Sequence, residues 1–249
     1  MIEAAEVERH AGAWGVGDQQ ILKDHLISHL LNSLSGLSGI VFFGGTALNR
    51  TDLTDRRLSE DIDLFQQRLE TGDVDSVIEA LRTNTKREFP GLQIQGRGRQ
   101  GDVETFAVSA ESTTIRVQMV GPRHDLGRCS VDYRAVSLRY SDLPAHVLLA
   151  VPTTEAFVAM KCAAFEVRRT PRDLFDLSQL VAIEAVTSRA LDELRHFRGF
   201  GPVKSLYGSD RAPASETWNA ELGHQVDDPG SPADALASVR DALERAGAW

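Results

Sequence analysis

Two aspartates one residue apart, Asp61 and Asp63 in SEDIDLF, carry the clearest capacity for chemistry, together with the Gly44-Gly45-Thr46 run that closes the apolar stretch GIVFF. On a β-strand, side chains at i and i+2 point to one face. The spacing therefore predicts two adjacent carboxylates with Ser59 beside them, while Ile62 and Leu64 face the core. Like charges so close repel unless a cation neutralises them. Hard oxygen ligands beside a phosphate-bearing substrate suit Mg2+ (or Mn2+), which keeps several waters and takes one or two protein carboxylates. Two ions about 4 Å apart would hold both the attacking and the leaving oxygen of an in-line displacement, and a single ion carried by the nucleotide is the alternative. Gly44 and Gly45 stand where a strand turns into the next element, and glycine tolerates positive φ and close backbone approach. Backbone N–H groups there, with the Thr46 hydroxyl, suit a triphosphate, above all if a helix starts at that point. Neither pattern is diagnostic alone. GGT followed by DxD after 14 intervening residues points to a nucleotide site.

A second cluster lies in MKCAAFEVRRTPRDLFDL. Lys161 and Arg168 are seven residues apart, two helical turns, so they share a face with the small Ala164. Arg172 and Asp173 open the following helix, where an aspartate suits the positive end of the dipole. Lys161 suits either pairing with nucleotide phosphates or stabilising charge as pyrophosphate departs. Asp173 suits orienting Lys161, acting as a base on an acceptor hydroxyl, or a plain interhelical salt bridge. Asp176, one turn on, reads as structural.

The elements that must position these groups follow from hydrophobic periodicity. Residues 17–34 have helical spacing, GIVFFGG reads as a short buried strand, SEDIDLF alternates, and DVDSVIEALRTNTKREF returns to helix. LQIQG, VETFAVSA and TTIRVQM read as strands. From Thr153 the pattern is helical: TTEAFVAMKCAAFEVRR, PRDLFDLSQLVAI with Pro171 in its first turn, SRALDELRHF and SPADALASVRDALERA. GFGPVKSLYGSDRAPAS between the last two reads as loop. The expectation is an α+β chain with a mixed sheet, N-terminal helices and flanking helices over residues 1–150, then a helical domain over 151–249 that completes the active site. His25 and His29 are spaced i, i+4, which suits a metal, but they sit among leucines and read as packing residues.

Composition narrows the class. With 249 residues, 42% hydrophobic and 25% charged, the chain has the make-up of a soluble globular protein. No apolar run approaches a membrane span, the N-terminus does not resemble a secretory signal, and two cysteines, Cys129 and Cys162, fit a reducing cytoplasm. Net charge is -9, of which residues 210–249 contribute -5. Bases cluster elsewhere: Arg56 with Arg57, Arg97 with Arg99, and Lys161 with Arg168, Arg169 and Arg172. Such patches hold phosphates even on an acidic protein.

FFGGTAL and RRLSEDIDLF resemble the polymerase-β-like nucleotidyltransferases and, among them, the AbiEii/MenT-type toxins of bacterial toxin–antitoxin systems. The GG[ST] turn is matched by Gly44, Gly45 and Thr46, and R-x-S-x-D-[IL]-D by Arg57, Ser59, Asp61 and Asp63. The K-x-x-A and R-x-x-x-R-D-L-x-D-L segment is matched by Lys161, Ala164, Arg168 or Arg169, Arg172, Asp173 and Asp176, and a Trp-x-x-x-Leu helix by Trp218 and Leu222. The resemblance covers roughly residues 25–245. It implies a polymerase-β-like fold, nucleotide binding by Gly44, Gly45, Thr46, Arg57, Ser59 and Lys161, metal ligation by Asp61 and Asp63, and catalysis by these two with Lys161 and Asp173. Many such enzymes carry a third carboxylate on a later strand. The matching strand here, TTIRVQMVG, offers Gln118 instead.

The expected reaction is transfer of NMP from an NTP to an acceptor hydroxyl. By resemblance the acceptor is the tRNA 3′ end, with Arg97, Arg99, Arg168, Arg169 and Arg172 as candidates for gripping RNA phosphates. A protein or small-molecule acceptor, and a catalytically silent nucleotide-binding module, are the alternatives. Restraint would come from a cognate antitoxin or from modification of Thr46 or Ser59.

Overall fold

The computed structural model describes residues 2–54, 56–68, 72–124, 128–198 and 211–248. The chain divides into two compact units, Met1–Gly127 with Asp132–Val151, and Arg128–Val131 with Pro152–Trp249.

The first unit opens with helices α1 (Ala4–Trp14) and α2 (Asp18–Ser33), then strand β1 (Ile40–Phe43), helix α3 (Gly44–Thr51), strand β2 (Asp61–Gln66) and helix α4 (Val74–Asn84). Strands β3 (Gln93–Gln100), β4 (Val103–Ala110) and β5 (Thr113–Val120) follow, then β6 (Val131–Ser137) and β7 (His146–Pro152). Five strands form a mixed sheet in the order β1-β2-β5-β4-β3, and β6 pairs with β7 apart from it. Only β2 and β5 run parallel; the other pairs of the sheet are antiparallel. The strands β3, β4 and β5 are linked by two tight turns, one with Gly101 at φ 60° and one with Glu111 at φ 53°. Positive φ there matches the twist of two-residue hairpins.

Helix α2 covers β5 and also meets α4. It is buried on nearly every side, carrying Ile21, Leu26, Ile27, Leu30 and Leu31 together with Asp24, His25, Ser28 and His29. Asp24, the buried carboxylate inside it, has hydrogen-bond donors on both oxygens. Asp24 Oδ1 accepts from Arg50 Nη2 at 2.8 Å and from Arg139 Nη1 at 2.9 Å, and its Oδ2 accepts from the Tyr140 hydroxyl at 3.0 Å. Asp24 and Arg50 are each 1% exposed, so this network ties α2, α3 and the β6–β7 connection together out of water.

The second unit holds helices α5 (Thr154–Arg168), α6 (Pro171–Ala182), α7 (Ser188–Arg198), α8 (Ser215–Leu222) and α9 (Pro232–Arg245). Helix α5 packs on α6 and α7, and α6 on α8 and α9. Trp218 anchors α8: it is fully buried, its ring lies 6.2 Å from Phe175 and its Nε1 donates to the Gly230 carbonyl at 3.0 Å.

The α+β class, the mixed sheet with covering helices and the later helical run agree with the sequence reading. Strands β6 and β7 add to it. The Gly/Pro/Ser-rich stretch expected as loop falls mostly on residues 199–210, which lie outside the described residues. No helix among the described residues is long and apolar enough to cross a membrane.

Candidate active site

Asp61 and Asp63 lie at the start of β2, both partly exposed, while Ile62 and Leu64 between and after them are buried. Their neighbour on one side is the end of β1, where Phe43 pairs with Asp63. Helix α3 begins at the next residue, Gly44, and its N-cap Phe43 offers no side-chain acceptor to the first-turn N–H groups. Those donors and the positive end of the helix suit an anion.

Both glycines of the turn have a physical reason. Gly44 has φ +80°, and a Cβ built there would overlap the Asp63 carboxylate. A Cβ on Gly45 would sit 2.9 Å from Arg57 Nη2 and 3.6 Å from Ser59 Oγ. The backbone of the helix start is thus pressed directly against the residues of RRLSEDID. The Thr46 hydroxyl, 2% exposed, lies 2.9 Å from Ser59 Oγ and also bonds the Asp61 carbonyl, fixing α3 to the entrance of β2. Asn49 Nδ2 donates back to the Gly45 carbonyl at 2.7 Å. Of the two hydroxyls considered for modification, that of Ser59 is on the more accessible residue. Arg57 is 2% exposed and donates to the Leu58 carbonyl at 3.1 Å, so it is an interior residue of this site and not a surface charge.

On its other side β2 pairs with β5, placing Arg116 opposite Asp61 and Gln118 opposite Asp63. Arg116 Nη2 donates to Asp61 Oδ2 at 2.7 Å and Nε to Oδ1 at 3.3 Å. The hydrogen bond to Asp61 is the main reason its guanidinium is driven above the usual arginine range, against the opposing effect of burial. The sequence reading identified Gln118 from strand alternation and passed over Arg116, although the same alternation puts both on one face. Asp61 therefore faces a fixed positive charge from the neighbouring strand. The hard oxygen donors of Asp61 and Asp63, with the Ser59 hydroxyl nearby, fit Mg2+, which needs only one or two protein carboxylates.

Lys161, Asp173 and Asp176 come together in the second unit. Lys161, 7% exposed, has Nζ 3.2 Å from Asp173 Oδ1 and 2.7 Å from Asp176 Oδ2. Arg168 Nη2 lies 3.0 and 2.9 Å from the two Asp173 oxygens, and the Thr170 hydroxyl donates to Oδ2 at 2.7 Å. Burial pushes the Asp173 carboxyl up, but the charges of Lys161 and Arg168 and the Thr170 hydrogen bond override it, leaving it below the usual carboxylate range. So held, Asp173 is a weak base and a firm positioning group for Lys161. Asp176 is fully buried and shares that task.

The arginines considered for RNA stand in two places. Arg97 and Arg99 lie on the exposed outer strand β3, where Arg97 bonds Asp75 at 2.6 Å and Glu104 at 3.0 Å, and Arg99 Nη1 lies 3.8 Å from Glu104. In the second unit Arg168 is committed to Asp173, Arg172 Nε is 3.7 Å from Glu221, and Arg169 is exposed as the left-handed C-cap of α5. Cys129 and Cys162 are both free and buried, and burial pushes each thiol up to about 12.

Residues 29–245 match the family model described as nucleotidyl transferase AbiEii toxin, type IV toxin–antitoxin system. Among solved structures the fold resembles MenT4, the nucleotidyltransferase toxin Rv2826c from Mycobacterium tuberculosis H37Rv. The TM-score is 0.62 at 20% identity, covering 98% of this chain and 89% of that one. It also resembles a putative nucleotidyltransferase from H. pylori, with a TM-score of 0.59 at 16% identity over 92% of this chain and 95% of that one. No curated protein matches in sequence.

Proposed function

Because the chain belongs to the AbiEii nucleotidyltransferase toxin family of type IV toxin–antitoxin systems, we propose that it transfers NMP from an NTP to the 3′-terminal hydroxyl of tRNA. The observation that carries this reading is the contact between Gly44 and Asp63. It brings the N-terminus of α3, where Phe43 offers no side-chain cap, and the carboxylate pair of β2 within one small volume, an anion seat beside a cation seat. An NTP complexed with Mg2+ presents both charges.

In this reading the triphosphate rests on the N–H groups at Gly44, Gly45 and Thr46, with Arg57 and Ser59 bounding the seat. Asp61 and Asp63 hold Mg2+, which when bound supplies charge neutralisation along the phosphates. The acceptor oxygen forms a new bond to the α-phosphorus as the bond to pyrophosphate breaks. Lys161, whose ammonium Asp173 and Asp176 position within the second unit, is the candidate cation that the family resemblance assigns to the departing pyrophosphate. Arg99 and Arg169 are left at the surface for RNA phosphates, whereas Arg97 is held by Asp75 and Glu104. The family implies a cognate antitoxin as the second partner.

One observation favours a different reading. Arg116 already compensates Asp61, and Gln118 stands where a third carboxylate would serve catalysis, which suits a module that binds nucleotide without turning it over. Incubation of the purified chain with each labelled NTP, total tRNA and Mg2+ or Mn2+ separates the two. Label on RNA with at least one nucleotide, lost in Asp63→Asn, is expected. Saturable nucleotide binding with no label on any RNA would overturn the tRNA reading and leave the silent module or a different acceptor.

A further inference from the structure

Outside the nucleotide site, the described residues hold one group of side chains with metal-ligand chemistry: His25, His29 and Asp142. All three belong to the first unit. The histidines are four residues apart on α2, so both rings leave the same face, as in helical zinc motifs. Asp142 comes from the connection between β6 and β7.

The contacts are mutual. His25 Nε2 lies 3.0 Å from Asp142 Oδ2, His29 Nε2 lies 3.2 Å from the same oxygen, and the two Nε2 atoms are 3.1 Å apart. Hydrogen bonds alone do not satisfy this triangle. If each ring carries its proton on Nε2, both donate to Asp142 but the two N–H groups oppose each other. If only one does, the other nitrogen turns a lone pair toward a carboxylate oxygen. Protonation of both rings places two cations side by side. With a divalent ion at the centre, all three lone pairs point inward and every close approach becomes the edge of a coordination polyhedron. Zinc–nitrogen bonds of about 2.0–2.1 Å at tetrahedral angles put ligand atoms roughly 3.3 Å apart, close to the spacing seen.

The surroundings fit. His25 and His29 are 3% and 5% exposed, and Phe89 meets the His29 ring edge-on at 5.1 Å, so the rings are held in place. The Asp142 side chain is 28% exposed, which gives an ion access and water the remaining position.

We infer that His25, His29 and Asp142 form a zinc site that pins the β6–β7 connection to helix α2. Two imidazoles and one carboxylate at this spacing suit Zn2+ over Mg2+, which prefers oxygen donors and octahedral geometry. The same connection brings Arg139 and Tyr140 to Asp24, so the ion reinforces the interior network of the first unit.

The full chain, stripped with EDTA and dialysed, should bind one zinc ion per molecule by calorimetry, with a rise in melting temperature. Co2+ in place of Zn2+ should give the intense visible absorption of a low-symmetry site with nitrogen ligands. Asp142→Asn, at a partly exposed position and expected to fold, should weaken zinc binding at least tenfold, as should His29→Gln. An Asp61→Asn, Asp63→Asn double variant should bind zinc as the wild type does. Absence of zinc binding by the folded wild type would overturn the inference. So would binding unchanged in Asp142→Asn, or binding lost in the Asp61/Asp63 variant.

Discussion

Gly44 bears two demands at one position, a left-handed φ of +80° and the contact that lets the Asp63 carboxylate lie against the start of α3. The two separate experimentally because Gly36 has almost the same φ, +83°, with open space where a Cβ would go. Gly36→Ala should cost only the strain of positive φ, about 1 kcal/mol, and leave nucleotide transfer intact. Gly44→Ala should cost more in denaturant unfolding and also abolish transfer by displacing Asp63; equal behaviour of the two variants would show the contact to be irrelevant. Arg116 supports a second prediction. Removing its charge in Arg116→Gln takes the ion-pair partner from Asp61, so half-saturation by Mg2+ should move to lower concentration, measured at fixed nucleotide. The carboxylate pair, the glycine turn and Lys161 were all legible as residue types at set spacings. The partner of Asp61 was not, because it depends on the parallel register of β2 against β5, strands separated by β3 and β4 in sequence. Asp142 is hidden in the same way: it reaches His25 from 117 residues away, and no local pattern announces that contact.

The elements divide the chemistry between helix ends and strand starts. The N-cap of α3, Phe43, has no side-chain acceptor, whereas α5 and α6 are capped by Thr153 and Thr170. Thr170 does two things, accepting from the Asp173 backbone N–H at 3.3 Å and donating its hydroxyl to the Asp173 carboxylate at 2.7 Å. Thr170→Ala should therefore lower stability by about 1 kcal/mol, the usual worth of such a cap, in a urea titration. Ser231→Ala removes the corresponding cap of α9 and should match it in stability while sparing transfer. A loss of transfer in the Thr170 variant alone would mark the α5–α6 cluster as functional. Long periodic segments such as α2, α5, α6 and α9 were readable because an amphipathic or wholly buried helix repeats its pattern over several turns. Strands β6 and β7 were not: β6 buries only Val136, so its alternation lacks contrast, and the pair stands apart from the main sheet.

At the scale of the whole molecule, stability rests partly on buried carboxylates that must stay ionised. Burial raises the Asp24 carboxyl, yet the charges of Arg139 and Arg50 outweigh it and the net shift is downward; Asp173 behaves likewise with Lys161 and Arg168. A carboxylate depressed in the fold binds its proton more readily when unfolded. Its contribution is therefore complete above the unfolded value of about 3.9 and is lost as pH falls through the lower folded value. Melting temperature should hold from neutral pH down to about 5 and then fall steeply. Asp24→Ala should cost about 3–5 kcal/mol, since it strands the buried Arg50 guanidinium, and should flatten that acid limb. The class of fold was visible in the order of elements; this interior network was not, because charged residues in a sequence read as surface until their partners are known. The most direct test of the central claim is to follow the label from α- and γ-labelled nucleotide in parallel, with tRNA as acceptor. One NMP carrying the α-label should appear at the RNA 3′ end for each pyrophosphate carrying the γ-label, and neither event should occur in Asp63→Asn. Transfer of the γ-label to the acceptor, or undiminished transfer by the Asp63 variant, would contradict a nucleotide site built from β2 and the start of α3.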